Sequence, residues 1–554
     1  MKQRSLSIFL VLALCLTLLP TAALASETGE GQHTGHCICG AATHQSVGDH
    51  SADASSTITW TAWDDQEVAN QYNNGVVNTY FYNAESYLPK QSGYYYLTGD
   101  VDRTSLGWTV PENADITICL NGHTITSNNQ YSINIPANST LTVTDCKSTG
   151  AITNTSNGSG TSVLVYGTFN LYGGSIDGQK MGNDARDNQR GVDVADGAAF
   201  NMYGGSITRN INHNRSSNNG GGVYVSQNAT FTMYAGSISY NEIVPSDSNN
   251  GEGGGVYVAE HATFVMKGGS IDHNKAKSAG GGVYLEGQLD LFNGAVISGN
   301  EADAGGGVYI EYTVPASGKY SGETVGTAVL NMYGGSITNN KAEGDGGGVN
   351  MAGYDGTGLQ GGTFNMSGGS ITNNTADGNG GGLFFYSVVN LSGAPRITGN
   401  TGGKANGSGE TSNAFIYNGE EYAPRPSYET DYLNIAAAGL TAGAEIGVRS
   451  QHELVQGDAN AKFATNATNA TSTSYFTSDQ GYSIIMNGSD LYLQAPGSQS
   501  THTHEWEYRE STNQDDSKTI TATCKNTDGN CPNTDGGSIT VSKPAHDEFG
   551  DRKN

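Results

Sequence analysis

The chain has 554 residues, 79 of them glycine, and a formal net charge of −27, so glycine stands at about twice its usual share of roughly 7%. Glycine without a G-X-Y period beside only 12 prolines excludes collagen, the absence of Ala/Glu/Lys/Leu heptads excludes a coiled coil, and 30 tyrosines with many β-branched residues argue against a disordered chain. So acidic a surface repels phosphate backbones and anionic lipids, which sets aside nucleic acid and membrane surfaces as partners, and it repels acidic glycans unless calcium bridges them.

The N-terminus carries Lys2 and Arg4, an apolar run from Ile8 to Leu19, and the small-x-small pattern Ala23-Leu24-Ala25. These are the parts of a secretory signal peptide, residues 1–25, and the apolar run is shorter than the ~20 residues that span a bilayer. A secreted or surface-associated extracellular protein is expected, with no transmembrane segment. Beyond the signal lie Cys37, Cys39, Cys119, Cys146, Cys524 and Cys531, an even number that export permits to pair. Residues 26–85 form a polar segment in which His33, His36, Cys37, Cys39, His44 and His50 offer thiolate and imidazole donors for a tetrahedral zinc, without standard Cys-x-x-Cys spacing.

Residues 86–405 are dominated by self-similarity. The phrase Phe200-Asn201-Met202-Tyr203-Gly204-Gly205-Ser206-Ile207 returns nearly unchanged from Asn331 and from Phe364, and between the returns stands a glycine triplet followed by a short strand, as at Gly220 to Val225 and Gly280 to Leu285. The asparagine after each first phrase sets the period: Asn210, Asn241, Asn274, Asn300, Asn340, Asn374 and Asn400, with 26 residues in the shortest interval. That leaves room for three short strands and no helix. The pattern predicts an all-β fold, a right-handed parallel β-helix with about three strands per coil, each strand pairing with its counterpart one coil on at about 4.8 Å.

Period-two alternation sends Phe200, Met202, Val223, Val225 and Ile207 inward and Asn201, Tyr203 and Tyr224 outward. The repeated asparagine is expected at a turn, tolerating left-handed dihedrals and passing amide hydrogen bonds from coil to coil; the glycine triplets are expected to supply positive φ and close backbone approach. Cys119 and Cys146 are 27 residues apart, as are Ile125 and Ile152. Equivalent points of neighbouring coils follow, either as a disulfide or as a buried reduced pair.

Two outward aromatic columns are candidate ligand-binding surfaces. One runs through Tyr224, Tyr257, Tyr284, Tyr309 and Phe384, interrupted by Asn350; the other through Tyr172, Tyr203, Tyr234, Phe292 and Tyr333, broken by Lys267. Their ring faces could stack on the sugars of an extended glycan, with outward Asn170, Asn201, Asp290, Asn331 and Asn365 as hydrogen-bond partners; equally, tyrosine is simply a good outward β residue. A carbohydrate-cleaving site needs clustered acids, and the densest charge cluster holds Asp184, Arg186, Asp187, Arg190 and Asp193. These are weak catalytic candidates, because charges in a polar loop are ordinarily just solvated.

From 406 to 495 the repeat loosens into terminal coils or a cap, which an otherwise open solenoid end requires. Residues 496–554 form a small module with strands at Thr519 to Thr523 and Ser538 to Val541. Its His502, His504, Cys524 and Cys531 offer a second zinc set, or a disulfide between the two cysteines.

The pairing of Ile-x-x-Asn with a following Gly-Gly-Gly-Val resembles the repeats of chlamydial polymorphic membrane proteins. Phrases such as Asn331-Met332-Tyr333-Gly334-Gly335-Ser336-Ile337-Thr338 are more closely similar to secreted or cell-surface right-handed parallel β-helix proteins of Gram-positive gut bacteria, over roughly residues 90 to 495. The resemblance implies an adhesin-like protein contacting extracellular glycans or a host or bacterial surface protein, without chemistry and without a required cofactor. The chain lacks the Leu-Pro-x-Thr-Gly wall-sorting signal. The alternatives on the same scaffold are a polysaccharide lyase or glycoside hydrolase, and a passive surface scaffold, since function lives in a site and not in a fold.

Overall fold

Strands of three or four residues, separated by turns rich in glycine and asparagine, can bury only one or two side chains apiece, so stability must come from stacking one coil on the next. A computed structural model realises this. It describes residues 60–63, 88–103, 107–156, 159–178, 188–213, 219–244, 251–311, 328–351, 362–403, 409–416, 432–451, 453–456, 458–469, 473–496, 506–513, 517–524 and 535–541. The chain divides into two compact units, one of Met1–Glu453 with Ala461–Leu493 and one of Leu454–Asn460 with Gln494–Asn554.

The larger unit is a parallel β-helix. Its Phe–Met face is a 16-stranded sheet that includes Thr168–Leu171, Ala199–Met202, Thr230–Met233, Thr263–Met266, Gln288–Leu291, Val329–Met332 and Thr363–Met366, seven successive coils paired in parallel. The Ile face stacks strands such as Ser206–Thr208 and Ser237–Ser239, and the Tyr face stacks Val223–Val225, Val256–Val258, Val283–Leu285 and Val308–Ile310. A strand upstream of residue 86, Thr61–Trp63, already pairs in parallel with Gly93–Leu97. The far end closes differently: Ala461–Thr465 pairs antiparallel with Asp490–Gln494, which ends the parallel register.

Beside the three main strands of a coil, a further strand of two residues follows the ladder asparagine at Ile211–Asn212, Glu242–Ile243, Glu301–Ala302, Lys341–Ala342 and Thr375–Ala376. Two residues are too few to leave an alternation signal in a sequence.

Inward side chains form in-register columns. Phe169, Phe200, Phe231 and Phe264 stack with centroids 4.5–5.1 Å apart, and Leu289, Leu330 and Phe364 continue the column, all fully buried. Isoleucines stack likewise from Ile176 through Ile207, Ile238, Ile271, Ile297, Ile337 and Ile371 to Ile397. Each glycine triplet divides its labour, as Gly280-Gly281-Gly282 shows. Gly280 takes φ +67°, whereas a Cβ on Gly282 would meet the Gly307 carbonyl oxygen at 2.6 Å, so the coils approach too closely there for any side chain.

The asparagine ladder is the polar spine of the fold. Asn210, Asn241, Asn274, Asn300, Asn340, Asn374 and Asn400 are buried, and each donates Nδ2 to the Oδ1 of the next at 2.8–3.0 Å, continuing to Asn413. Each acceptor oxygen from Asn241 to Asn413 also receives the backbone N–H of the preceding ladder residue. The series ends on a carboxylate, for Asn413 donates its Nδ2 to Asp479 Oδ1 and its N–H to Asp479 Oδ2, both at 2.7 Å. Burial raises the Asp479 carboxyl while these bonds and Arg449 lower it.

The expected left-handed dihedral is not at these asparagines. It falls one residue earlier, at Arg209, Tyr240, His273, Asn339 and Asn373 (φ 53–57°) and at Gly299 and Gly399. The turn is made before the ladder residue, whose own backbone must stay regular to present its N–H to the next coil.

The smaller unit is an antiparallel three-stranded sheet, Trp506–Thr512, Lys518–Cys524 and Asp535–Val541, whose first strand carries no strong sequence signal.

Candidate functional site: an open face and a closed column

The two aromatic columns separate physically. On the Tyr face, rings stack from Tyr224 through Tyr257 and Tyr284 to Tyr309 at 5.1–5.2 Å, but Tyr257 and Tyr284 are only 3% and 4% exposed. Pointing away from the coil interior therefore does not make these rings accessible. They pack with Ala259 and Ala279 as a second small core outside the coil, and the Glu286 and Glu311 that follow the next two Tyr-face strands bond the Tyr257 and Tyr284 hydroxyls. Phe384, on the same face, is also buried. The column is thus closed at Tyr257, Tyr284 and Phe384, while Tyr224 and Tyr309 stay partly exposed.

At the column's start Arg190 lies over the Tyr224 ring, 4.3 Å from its centroid, while its Nη1 donates to Asp193 at 2.8 Å and its Nε to the Asn219 carbonyl at 3.0 Å. Arg190 and Asp193 neutralise each other and clamp the column's end. Asp184, Arg186 and Asp187 lie outside the described residues, so no catalytic group assembles around Asp193 within the described chain.

Sequence reasoning missed the carboxylates that do gather here, Glu252, Glu286 and Glu311. Burial, with Glu311 and Glu286 adding, pushes the Glu252 carboxyl up to about 7, and burial raises Glu286 as well. Tyr257 and Tyr284 are pushed up by burial and by these acids. Three acids spaced tens of residues apart gave no motif; only the stacking of coils brings them together.

A pH dependence follows. Glu252 binds its proton more tightly folded than unfolded, so its contribution is complete below about pH 4.5, declines as pH rises through 7, and is absent above. Glu286 acts in the same sense. Allowing for partial solvation of the carboxyl, the expected loss between pH 5 and pH 8 is about 1–2 kcal/mol of solenoid stability. Urea unfolding at the two pH values checks it, and Glu252→Gln should flatten the difference.

The second column, on the Phe–Met face, is open. Tyr172, Tyr203 and Tyr234 stack at 4.4 and 4.7 Å with planes 8–11° apart, and Phe292 stacks on Tyr333 at 5.0 Å. Phe292 and Tyr333 are 36% and 51% exposed. The ring stack is interrupted at Lys267, whose Nζ lies over the Tyr234 ring, 4.7 Å from the centroid. Stacking has a consequence for recognition: neighbouring rings cover one another's π faces, so the surface offered is ring edges and phenol hydroxyls, not a row of sugar-stacking platforms.

Outward amides lie one pleat away in the same strands. They are partly spent on each other: Asn201 donates to Asn170, Asn331 to Asp290, Asn365 to Asn331 and Asn390 to Asn365, at 2.7–3.0 Å. Across the seven coils from Thr168 to Ser367, the outward positions at the first and third strand residues and just after each strand hold Thr, Ala, Val, Gln, Asn, Ser, Tyr and Phe. Lys267 and Asp290 are the only charged residues among them, and every position reaches solvent.

A shallow cleft over Ala276 and Ala302 is lined by Glu242, Lys275, Glu301, Asp303 and Glu343; Lys275 and Glu301 approach to 3.7 Å across neighbouring coils. Among the described residues no three His, Cys, Asp or Glu side chains come together to hold a metal ion. His36, Cys37, Cys39, His44, His50, His502, His504 and Cys531 lie outside the described residues, and Cys524 ends the strand Lys518–Cys524.

The parallel β solenoid with its long exposed faces fits a surface or binding role. No described helix is long and apolar enough to cross a membrane. Against family models, curated proteins and solved structures alike, the chain has no match.

Proposed function

We propose that the protein is a secreted or surface-exposed, adhesin-like binding protein whose Phe–Met face holds a neutral, extended glycan. The observation that carries this reading is the near absence of charge on that face, in a chain of net charge −27. Seven coils at about 4.8 Å give a strip of about 29 Å, and hydroxyls, amides and ring edges recur along it coil after coil. A repeating surface suits a repeating ligand. Uncharged hydrogen-bonding groups beside aromatic edges suit sugar hydroxyls, and no ion pair is needed. The assignment to a Gram-positive surface β-helix group rests on the repeat phrases alone.

The enzymatic alternative, a glycoside hydrolase or polysaccharide lyase, moves from Asp184, Asp187 and Asp193 to Glu252, Glu286 and Glu311. A carboxyl protonated near neutrality beside a second acid is what general acid and base catalysis requires. The Tyr257 and Tyr284 hydroxyls already engage Glu286 and Glu311, however, and leave this reading second.

Native affinity electrophoresis of residues 26–554 through gels of neutral and acidic polysaccharides, each stained afterwards for polymer loss, separates the readings. Binding through the neutral face predicts retardation by neutral polymers, little changed by salt, with the polymer intact. Clearing of the polymer establishes the enzyme instead; retardation by acidic polymers alone, abolished by salt, contradicts the neutral-face reading.

A further inference from the structure

We infer that Cys119 and Cys146 close into a disulfide that staples neighbouring coils near the start of the solenoid. This inference is independent of the ligand reading. The two residues are not in register, because Cys119 pairs with Thr144 and Cys146 stands two residues farther on, past the end of the strand Thr140–Thr144. Their sulfurs nevertheless approach to 3.5 Å across the two coils. A disulfide needs about 2.05 Å, so closure asks for a movement of about 1.5 Å, in the range of side-chain rotation at Cys146, where the chain has left the regular strand.

The two thiols differ in a way that orders the reaction. Cys119 is fully buried and Cys146 is partly exposed. The bond to Cys146 and burial push the Cys119 thiol up, so Cys146 is the sulfur that an oxidant meets first. With a small-molecule disulfide as oxidant, the Cys146 thiolate attacks one of its sulfurs, forming a mixed disulfide and releasing one thiolate, which takes up the proton from Cys146. Cys119 Sγ then attacks Cys146 Sγ; the Cys119–Cys146 bond forms, the second small thiolate leaves, and it carries away the Cys119 proton. Two protein thiols are oxidised as one disulfide is reduced to two thiols.

The place matters for function. Solenoid ends fray first, and the crosslink encloses one coil close to that end, with the strands Thr61–Trp63 and Gly93–Leu97 stacked before it. An exported protein meets the oxidising conditions under which such a bond persists.

The test uses the full mature chain, incubated with oxidised glutathione, blocked with an alkylating agent under denaturing conditions, and mapped by peptide mass. The expected result is a linked pair of peptides bearing Cys119 and Cys146, lighter by two hydrogens than the separate thiols. Reductant should lower the midpoint of solenoid unfolding by several degrees, and leave the Cys119→Ser/Cys146→Ser double variant unchanged. Alkylation of both residues after oxidation, or pairing of either with Cys37, Cys39, Cys524 or Cys531, overturns the inference. Should the double variant fail to fold, the peptide map of the unaltered chain decides alone.

Discussion

Asn300→Ala should lower the stability of the solenoid by about 3–5 kcal/mol, measured as the shift of its urea unfolding transition. The side chain sits in the middle of the ladder. Its Nδ2 donates to Asn340 Oδ1 and to the Ile271 carbonyl, both at 2.9 Å, while its Oδ1 accepts the Asn274 backbone N–H at 2.9 Å and Asn274 Nδ2 at 3.0 Å. Alanine removes all four bonds and orphans a buried N–H where water has no access. The outer amide ladder supplies the control. Asn365 makes the same kind of bond to Asn331 at 2.8 Å, but on a solvent-reaching face, and Asn365→Ala should cost about 1 kcal/mol or less. Equal losses at the two sites would show that burial does not set the value of the ladder.

Phe231→Ala should cost about 3–5 kcal/mol in the same measurement. Phe231 is fully buried and sandwiched between Phe200 at 4.6 Å and Phe264 at 4.5 Å, so truncation opens a cavity whose walls are stacked rings held by their own strands. Phe231→Leu should cost only about 1 kcal/mol. The fold already accepts leucine at this site of its coil, at Leu289 and Leu330. A large loss with leucine would mean that ring stacking, and not filled volume, holds the column.

The parallel coil was legible in the sequence because its determinants recur at the same place in every coil. Inward Phe, Met and Ile, the glycine triplet and the ladder asparagine each answer a constraint that the neighbouring coil imposes again. What was not legible depends on single coils or on what covers a face. Alternation places Tyr257 and Tyr284 outside the coil, but they are buried by packing with Ala259, Ala279 and the neighbouring tyrosines in a second layer that alternation within a strand does not announce. Likewise Cys119 and Cys146 match Ile125 and Ile152 in spacing, yet register assigns Cys119 to Thr144. Ring stacking along the open column could be read from sequence; that stacking hides the ring faces follows only from the near-parallel planes of Tyr172, Tyr203 and Tyr234. Asp479 ends the ladder from 66 residues beyond Asn413, a distance at which no motif connects them.

The central claim is that the open Phe–Met face, and not the closed column, makes contact with a ligand. The direct test compares affinity electrophoresis of the unaltered protein with a Tyr203→Ala/Tyr234→Ala double variant and with Glu252→Gln, on whichever neutral polysaccharide retards the unaltered protein most. The account predicts about tenfold weaker retardation for the tyrosine variant with its unfolding transition largely preserved, and unchanged retardation for Glu252→Gln. Undiminished retardation of the tyrosine variant, or loss of retardation on changing Glu252, would contradict it.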